Sequence, residues 1–326
     1  MSGHVLWGID LGGSKIEGVV LQPTTKPCAK SRAKTRAKSW ASANVLCRKR
    51  IATQGSQGYG HVLNQIKSLI QAMSAEIGAR PQRIGFGMPG TIEPATGLLR
   101  GSNSQNLNGK PLHKDLEKLL GIPVAMENDA NCFALAETKL GVVGEVAENA
   151  RVVFGVILGT GVGGGIVVNG NLISGTQSIA GEWGHNFLHE SGGQCFCGRS
   201  GCVETVISGT GLEKYYASIA HQQRPLKQIV ELAEAGDGDA VSTMDRLVQF
   251  FGLGISSIIN ILDPDVIVIG GGVGNIDLLY SRGVGEVAKH IFAPRLKTKI
   301  VKPKLGDSAG VFGAAFLFEG APSQSG

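Results

Sequence analysis

The sequence contains no run of about 18 uninterrupted apolar residues, so no segment reads as a membrane span. It also shows no basic-then-apolar leader with a small-residue cleavage site. Met1 to Asp10 runs straight into a strand-like stretch, which predicts a cytoplasmic protein. Acidic residues are missing altogether between Gln22 and Ile51, where nine basic ones stand: Lys26, Lys30, Arg32, Lys34, Arg36, Lys38, Arg48, Lys49 and Arg50. Removing those nine leaves 22 basic against 26 acidic residues, so the net charge of +5 belongs to one short segment and not to the fold. A solvated loop is the ordinary reading of such a run; contact with nucleic acid or another polyanion is the alternative.

Glycine is abundant, at 49 of 326 residues, and implies several tight, ligand-facing turns. Hydrophobic residues make up 42% and charged residues 17%, ordinary for a globular chain long enough to fold as two α/β lobes. Two regions read alike. Strands at Val5–Asp10, Ile16–Leu21 and Asn44–Thr53 precede a helix at Tyr59–Ile77, a strand at Arg83–Met88 and a helix at Leu112–Leu120. Strands at Arg151–Leu158, Gly165–Val168 and Asn171–Ser174 then precede helices, a strand at Asp265–Ile269 and a further helix. The repeated order β-β-β-α-β-α predicts a duplicated unit forming two lobes with a ligand cleft between them. The boundary is expected after residue 130, giving lobes 1–130 and 131–326, with the final helix returning to the first lobe. Residues 24–43 form a basic insertion, and Lys30–Ser42 within it reads as a hairpin tip or loop. The tail from Gly320 to Gly326 is expected to fray.

Two glycine turns stand at strand ends, Asp10-Leu11-Gly12-Gly13-Ser14-Lys15 and Leu158-Gly159-Thr160-Gly161-Val162-Gly163-Gly164-Gly165. Neither has the Walker spacing, and each leads into a second strand instead of the helix a dinucleotide fingerprint requires. Their backbone N–H groups, with a hydroxyl from Ser14 or Thr160, suit a polyphosphate. A third turn, Gly270-Gly271-Gly272, ends a buried strand before a helix. The run Glu127-Asn128-Asp129-Ala130-Asn131 follows the apolar strand Pro123–Met126. Asn128 or Asp129 can cap the next helix, or Asp129 can accept a proton from a substrate hydroxyl while the amides bind others.

Six cysteines are present, Cys28, Cys47, Cys132, Cys195, Cys197 and Cys202, and the last three fall within eight residues. With His185 they match a closed, tetrahedral structural zinc site, for which His189 is a competing nitrogen donor. Such a site would position Glu182 and the start of the helix carrying Glu204.

Together these segments resemble the ROK family (repressors, open reading frames, kinases). The resemblance runs from Asp10 to about Ala315. It is carried by the Asp10–Lys15 turn, Pro89-Gly90-Thr91, Asn128–Asn131, Gly159–Gly165, Gly181-Glu182-Trp183-Gly184-His185, Cys195–Glu204, and Asp263-Pro264-Asp265 leading into Gly270–Gly272. It implies an α/β fold of the duplicated, two-lobed sugar-kinase/actin-like ATPase type with a structural zinc loop. It implies Asp129 as catalytic base and Gly90, Thr91, Asn103, Asn128, Glu182, His185 and Glu204 around the sugar. Gly12, Gly13, Ser14, Lys15, Thr160 and Gly161 would surround the phosphates of ATP, Asp10 would hold Mg2+, and Gly271 and Gly272 would approach the nucleoside. His185, Cys195, Cys197 and Cys202 would bind Zn2+, leaving the second nitrogen of His185 for the sugar.

The implied reaction is ATP-dependent phosphorylation of a hexose, at its 6-hydroxyl, with lobe closure excluding water. The segments Gly181–Asn186 and Asn103–Gly109 resemble the fructokinase/mannofructokinase branch, which favours fructose or mannose; glucose and N-acetylhexosamines are the alternatives. The reading from another class is a non-catalytic sugar sensor or repressor. Repressors of the family carry a helix-turn-helix ahead of the sugar-binding part, and only nine residues precede Asp10 here. No nucleic-acid or membrane partner is therefore expected, and a homodimer is. Ser14 stands where the family usually has Thr, and the insertion around Lys26–Lys38 has no family counterpart.

Overall fold

The structure, a computed structural model, describes residues 5–25, 40–102, 104–306 and 309–319. They group into two units: residues 1–149, 165–180 and 304–326 form the first, and 150–164 and 181–303 the second.

In the first unit, β1 (Leu6–Leu11), β2 (Lys15–Thr25) and β3 (Trp40–Ala52) form an antiparallel meander, and β4 (Ile84–Met88) and β7 (Val124–Asn128) extend it in parallel, in the order β3-β2-β1-β4-β7. The pair β5 (Thr91–Ile92) and β6 (Leu99–Arg100) forms a small ribbon. One sheet face packs on α1 (Tyr59–Ile77) and α2 (Leu112–Leu120). The apolar residues of α1 recur at helical spacing, and Val62, Ile66, Leu69, Ile70 and Met73 are all buried. Each such burial is worth roughly 1.5–3 kcal/mol. Trp7, Ile9 and Leu11 of β1 belong to this core. The two-residue period of the strand sends Leu6, Gly8 and Asp10 to the other face. That face is covered by α3 (Asp129–Lys139) and, at the end of the chain, α11 (Ala309–Ala315), with α4 (Val143–Val146) following α3. The helix α11 lies so close that a Cβ at Gly8 would meet the Val311 carbonyl at 2.4 Å, and one at Gly85 the Ala314 carbonyl at 1.8 Å.

The second sheet repeats the same order as β10-β9-β8-β11-β12, from β8 (Val152–Leu158), β9 (Val162–Val168), β10 (Asn171–Leu172), β11 (Val266–Gly270) and β12 (Lys299–Val301). Between them run α5 (Val203–Ile207), α6 (Gly209–Ala220), α7 (Leu226–Glu234), α8 (Gly238–Leu262), α9 (Gly271–Gly274) and α10 (Val284–His290). By length and composition α8 is apolar enough to cross a membrane, but it buries thirteen residues, Leu247, Phe251 and Ile255 completely, as a core helix does.

Several boundaries differ from expectation. β2 and β3 extend to Thr25 and Trp40 because the ladder continues past Leu21, with the Thr24 hydroxyl donating to the Ser42 carbonyl at 3.0 Å. Of the expected loop Lys30–Ser42, residues 40–42 are thus strand, and 30–39 lie outside the described residues, as does the tail from Gly320. β9 begins at Val162, taking in the glycines expected to be turn. Residues 131–149 group with the first unit, past the expected boundary at 130, because α3 packs on α11: a Cβ at Gly313 would meet the Cys132 carbonyl at 1.8 Å. Glu137, 0% exposed, fastens this region by accepting the N–H groups of Val142 at 2.9 Å, Lys304 at 3.1 Å and Leu305 at 2.8 Å.

Candidate active site

In the first unit, β1 delivers Asp10 to the sheet end on the α3 face. The register sets it opposite Glu17 of β2. Glu17 is 1% exposed, roofed by the half-exposed guanidinium groups of Arg48 at 2.5 Å and Arg50 at 2.7 Å. Burial pushes its carboxyl up, but the hydrogen bonds from Arg50 and Arg48 prevail and hold it below the usual range. Lys49 pairs with Glu76 at 2.5 Å. The three basic residues at 48–50 therefore have intramolecular partners. Asp10 is raised to about 6, first by burial, then by Asp129 and Glu17, against Lys15 and Arg50. A buried carboxylate with two further carboxylates, Asp129 and Glu17, acting on it is a place where a cation would relieve both burial and repulsion, so the residues fit the magnesium role.

The turn after β1 places Gly13 and Ser14 in solvent. Gly12 N–H donates to the Lys15 carbonyl at 2.9 Å. Ser104 lies beside it, 3.3 Å from a Cβ position at Gly13.

At the start of α3, Asn128 is the cap: its side-chain oxygen accepts the Asn131 N–H at 2.8 Å. Asp129 is left as the first helical residue, exposed to solvent yet densely ringed by protein. That desolvation raises its carboxyl above the ordinary range, opposed by hydrogen bonds from the N–H groups of Ala130 and of Asp129 itself. Glu127, just before, bridges the Asn131 amide at 2.9 Å and the Ser174 hydroxyl. Thr91 donates its hydroxyl to the Ser178 carbonyl at 2.9 Å, so within this unit that hydroxyl holds backbone. Gly90, in the same turn, has φ 83°. Asn103 lies outside the described residues. Its neighbours are committed to the loop itself: Asn108 bonds the Ser102 N–H and carbonyl at 2.9 and 2.8 Å, and Asn106 donates to the Gly55 carbonyl at 3.2 Å.

In the second unit, the turn Gly159-Thr160-Gly161 exposes Thr160. Gly209, first in α6, donates to the Gly159 carbonyl at 2.8 Å. Glu204 of α5 accepts the Val162 N–H at 3.0 Å, and a Cβ at Gly161 would strike its carboxylate at 2.4 Å. Gly271, at φ 84°, lies where a Cβ would meet the Leu158 carbonyl at 2.3 Å, whereas Gly272 faces open space. A recess on α6, lined by Thr210, Glu213, Lys214, Gln223 and Arg224, belongs to the same unit.

Trp183 anchors the segment between Glu182 and His185. It is buried edge-on against Phe154, with ring centroids 6.3 Å apart. Nδ1 of His185 faces Cys195 Sγ at 3.6 Å, while Nε2 turns to a Glu182 carboxylate oxygen at 3.9 Å. Cys197 and Cys202 sulfurs are also 3.6 Å apart, and the four donor atoms lie within 4.8 Å of one another. Tetrahedral zinc with Zn–S bonds of about 2.3 Å would set its ligand sulfurs about 3.7 Å apart. The donor set fits. His189 is engaged elsewhere: its Nδ1 accepts the Ser191 N–H at 3.2 Å and its ring packs on Phe250.

Sequence reasoning missed Glu127, the anchoring Trp183, and Thr53, which hydrogen-bonds the first glycine turn. Glu127 lies inside the polar run Glu127–Asn131; Thr53 carries no sequence signal of its own.

A model of the ROK family matches residues 6–321. N-acetyl-D-glucosamine kinase of Aliivibrio salmonicida (strain LFI1238) is 36% identical over 321 residues, covering 95% of this chain and 98% of the relative. Among solved structures, the ROK hexokinase from Thermus thermophilus aligns with a TM-score of 0.82 at 27% identity, covering 96% of this chain and 97% of that one. A ROK family glucokinase from Streptomyces griseus in complex with glucose and AMPPNP aligns with a TM-score of 0.71 at 25% identity, covering 96% and 99%.

Proposed function

The chain belongs to the ROK family, and from that membership we propose that it is a sugar kinase transferring the γ-phosphoryl group of ATP to the 6-hydroxyl of N-acetyl-D-glucosamine. The observation that carries the reading is on the first unit. Asp129 stands exposed at the first turn of α3, and its carboxylate is among the groups that raise Asp10, at the start of the Gly12–Lys15 turn. A raised carboxyl that water can reach is suited to accept a proton from a hydroxyl that is losing it.

The relatives support the choice of sugar. The 36%-identical relative is named for N-acetyl-D-glucosamine, and the two structures for hexokinase and glucokinase activity. They favour the N-acetylhexosamine alternative over the fructose or mannose preference expected from sequence.

In the first unit, Asp129 takes the proton of the attacking hydroxyl. Asn128 offers its amide N–H groups to the sugar while its oxygen caps the helix. Gly90 and Thr91 line the sugar with backbone, the Thr91 hydroxyl being engaged by Ser178. Gly12, Gly13, Ser14 and Lys15 meet phosphate oxygens. Magnesium at Asp10 would supply the positive charge that offsets the polyphosphate. In the second unit, Glu182, Nε2 of His185 and the outer oxygen of Glu204 accept or donate to sugar hydroxyls. Thr160 and Gly161 meet phosphate, and the open backbone at Gly272, beside Gly271, meets the nucleoside. Zinc bound by His185, Cys195, Cys197 and Cys202 would have no open position and would serve to hold this loop.

The test is ADP release by purified protein with Mg·ATP across N-acetylglucosamine, N-acetylmannosamine, glucose, mannose and fructose. The expected result is the highest kcat/KM with N-acetylglucosamine. A preference for fructose or mannose would reverse the choice of sugar. Sugar binding without ADP release would replace the kinase with a sensor.

A further inference from the structure

We propose that Thr53 is a positioning residue that sets the Gly12–Lys15 turn to receive polyphosphate; the inference rests on the reading of that turn as a phosphate site. Thr53 follows β3 directly and is 2% exposed. Its hydroxyl donates to the Gly12 carbonyl at 2.7 Å, and its backbone N–H donates to the Ser14 carbonyl at 3.0 Å. One residue thus holds two carbonyls of a turn that advances only two positions between them.

The consequence follows from peptide geometry. A trans peptide is planar, so the carbonyl of one residue and the N–H of the next point in opposite directions. Fixing the carbonyls of Gly12 and Ser14 therefore directs the N–H groups of Gly13 and Lys15 away from Thr53. Thr53 is buried and Gly13 is exposed, so for the Gly13 N–H away from Thr53 is outward, while the Lys15 N–H lies on the side of its own carbonyl, towards Gly12. The turn presents donors to an anion because its acceptors are taken from below. Without the hydroxyl, nothing else among the described residues holds the Gly12 carbonyl, and the Gly12–Gly13 peptide can rotate to present an oxygen that repels phosphate.

Thr53 is itself held in place. Gln54, next in the chain, adopts φ 51° and leads into a short turn at Gly55–Gln57, and the Gly55 carbonyl accepts the Asn106 amide at 3.2 Å. The hydroxyl is neutral and distant in role from proton transfer. Its effect therefore falls on nucleotide affinity, through donors aligned before the ligand arrives.

The variants Thr53→Val and Thr53→Ser separate this role from packing. Calorimetry with Mg·ATP alone gives affinity, and steady-state kinetics gives KM for each substrate. In Thr53→Val the Kd and KM for Mg·ATP should rise about tenfold, the scale of one aligned hydrogen bond. The sugar KM and the pH profile of kcat should stay unchanged, and Thr53→Ser should restore nucleotide affinity to within about twofold of the parent. Parental Mg·ATP affinity in Thr53→Val would overturn the inference. So would equal weakening of nucleotide and sugar with no rescue by Thr53→Ser, the mark of a packing role alone. If the parent protein itself fails to bind Mg·ATP, the reading of the turn as a phosphate site falls, and the inference with it.

Discussion

Between β1 and β2 the Gly12–Lys15 turn is held by a buried, neutral hydroxyl, whereas between β8 and β9 the Gly159–Gly161 turn is held by the carboxylate of Glu204. The two turns occupy the same place in sheets of the same strand order. Duplication supplied the same hairpin twice, and the residues beneath it differ in charge. In the first unit the Thr53 hydroxyl holds the Gly12 carbonyl, and Asp10 and Lys15 flank the turn in sequence. In the second, Glu204 takes the Val162 N–H, so that donor is lost to an anion and the carboxylate's other oxygen is left for a sugar hydroxyl. The likeness of the two turns is therefore one of backbone, and their chemistry is set by residues distant in sequence.

Three outcomes would sharpen or break that contrast. The largest is expected at Asp129, the proposed base: Asp129→Asn should lower kcat by at least about 100-fold, the lower end for loss of a general base. Near-parental turnover in a folded variant, measured by ADP release, would remove Asp129 from the chemistry. Removing its charge should also let the Asp10 carboxyl fall from about 6, since Asp129 is the leading carboxylate raising it.

The second outcome concerns the loop that carries the second unit's polar groups. Cys197→Ser should lose the metal, about one zinc per chain in the parent, and with it a local stabilisation on the order of 10 kcal/mol. Elemental analysis and thermal melting read the loss. The sugar KM should rise far more than the Kd for Mg·ATP, whose proposed site is the first turn. Parental sugar KM in a zinc-free variant would separate the cluster from the site.

The smallest effect is expected at Glu17, which lies behind the first turn. Its folded pKa is depressed below the ordinary 4.5 by Arg50 and Arg48, so its ion pairs stabilise the fold above that value. The contribution is lost as pH falls through the depressed folded value. Glu17→Gln should therefore melt earlier than the parent at pH 7, and the gap should close in acid. A gap that stays constant below the ordinary carboxylate range would show that the pairs do not govern it.

Much of the fold was legible where periodicity and caps coincide. The helices at Tyr59–Ile77 and Leu112–Leu120 fall where their apolar spacing and closing glycines put them. The cluster of His185 with three cysteines was legible because metal-ligand spacing is a local signal. The choice of sugar was not. The run Asn103–Gly109 resembles a specificity segment, yet Asn106 and Asn108 bind the Gly55 and Ser102 backbone, so their presence reports loop architecture. Asn128 was legible as either cap or ligand, and only geometry shows that its oxygen caps α3. Thr53 was invisible for a different reason. A hydroxyl that meets a turn 41 positions earlier in the chain leaves no spacing to read.

Phosphoryl transfer to an N-acetylated amino sugar is tested most directly by its product. Phosphorus NMR of N-acetyl-D-glucosamine incubated with Mg·ATP and the protein should show a new monoester coupled to the protons on C6, rising in step with ADP. ADP appearing with inorganic phosphate alone, or no turnover in the presence of any hexose or N-acetylhexosamine, would contradict it.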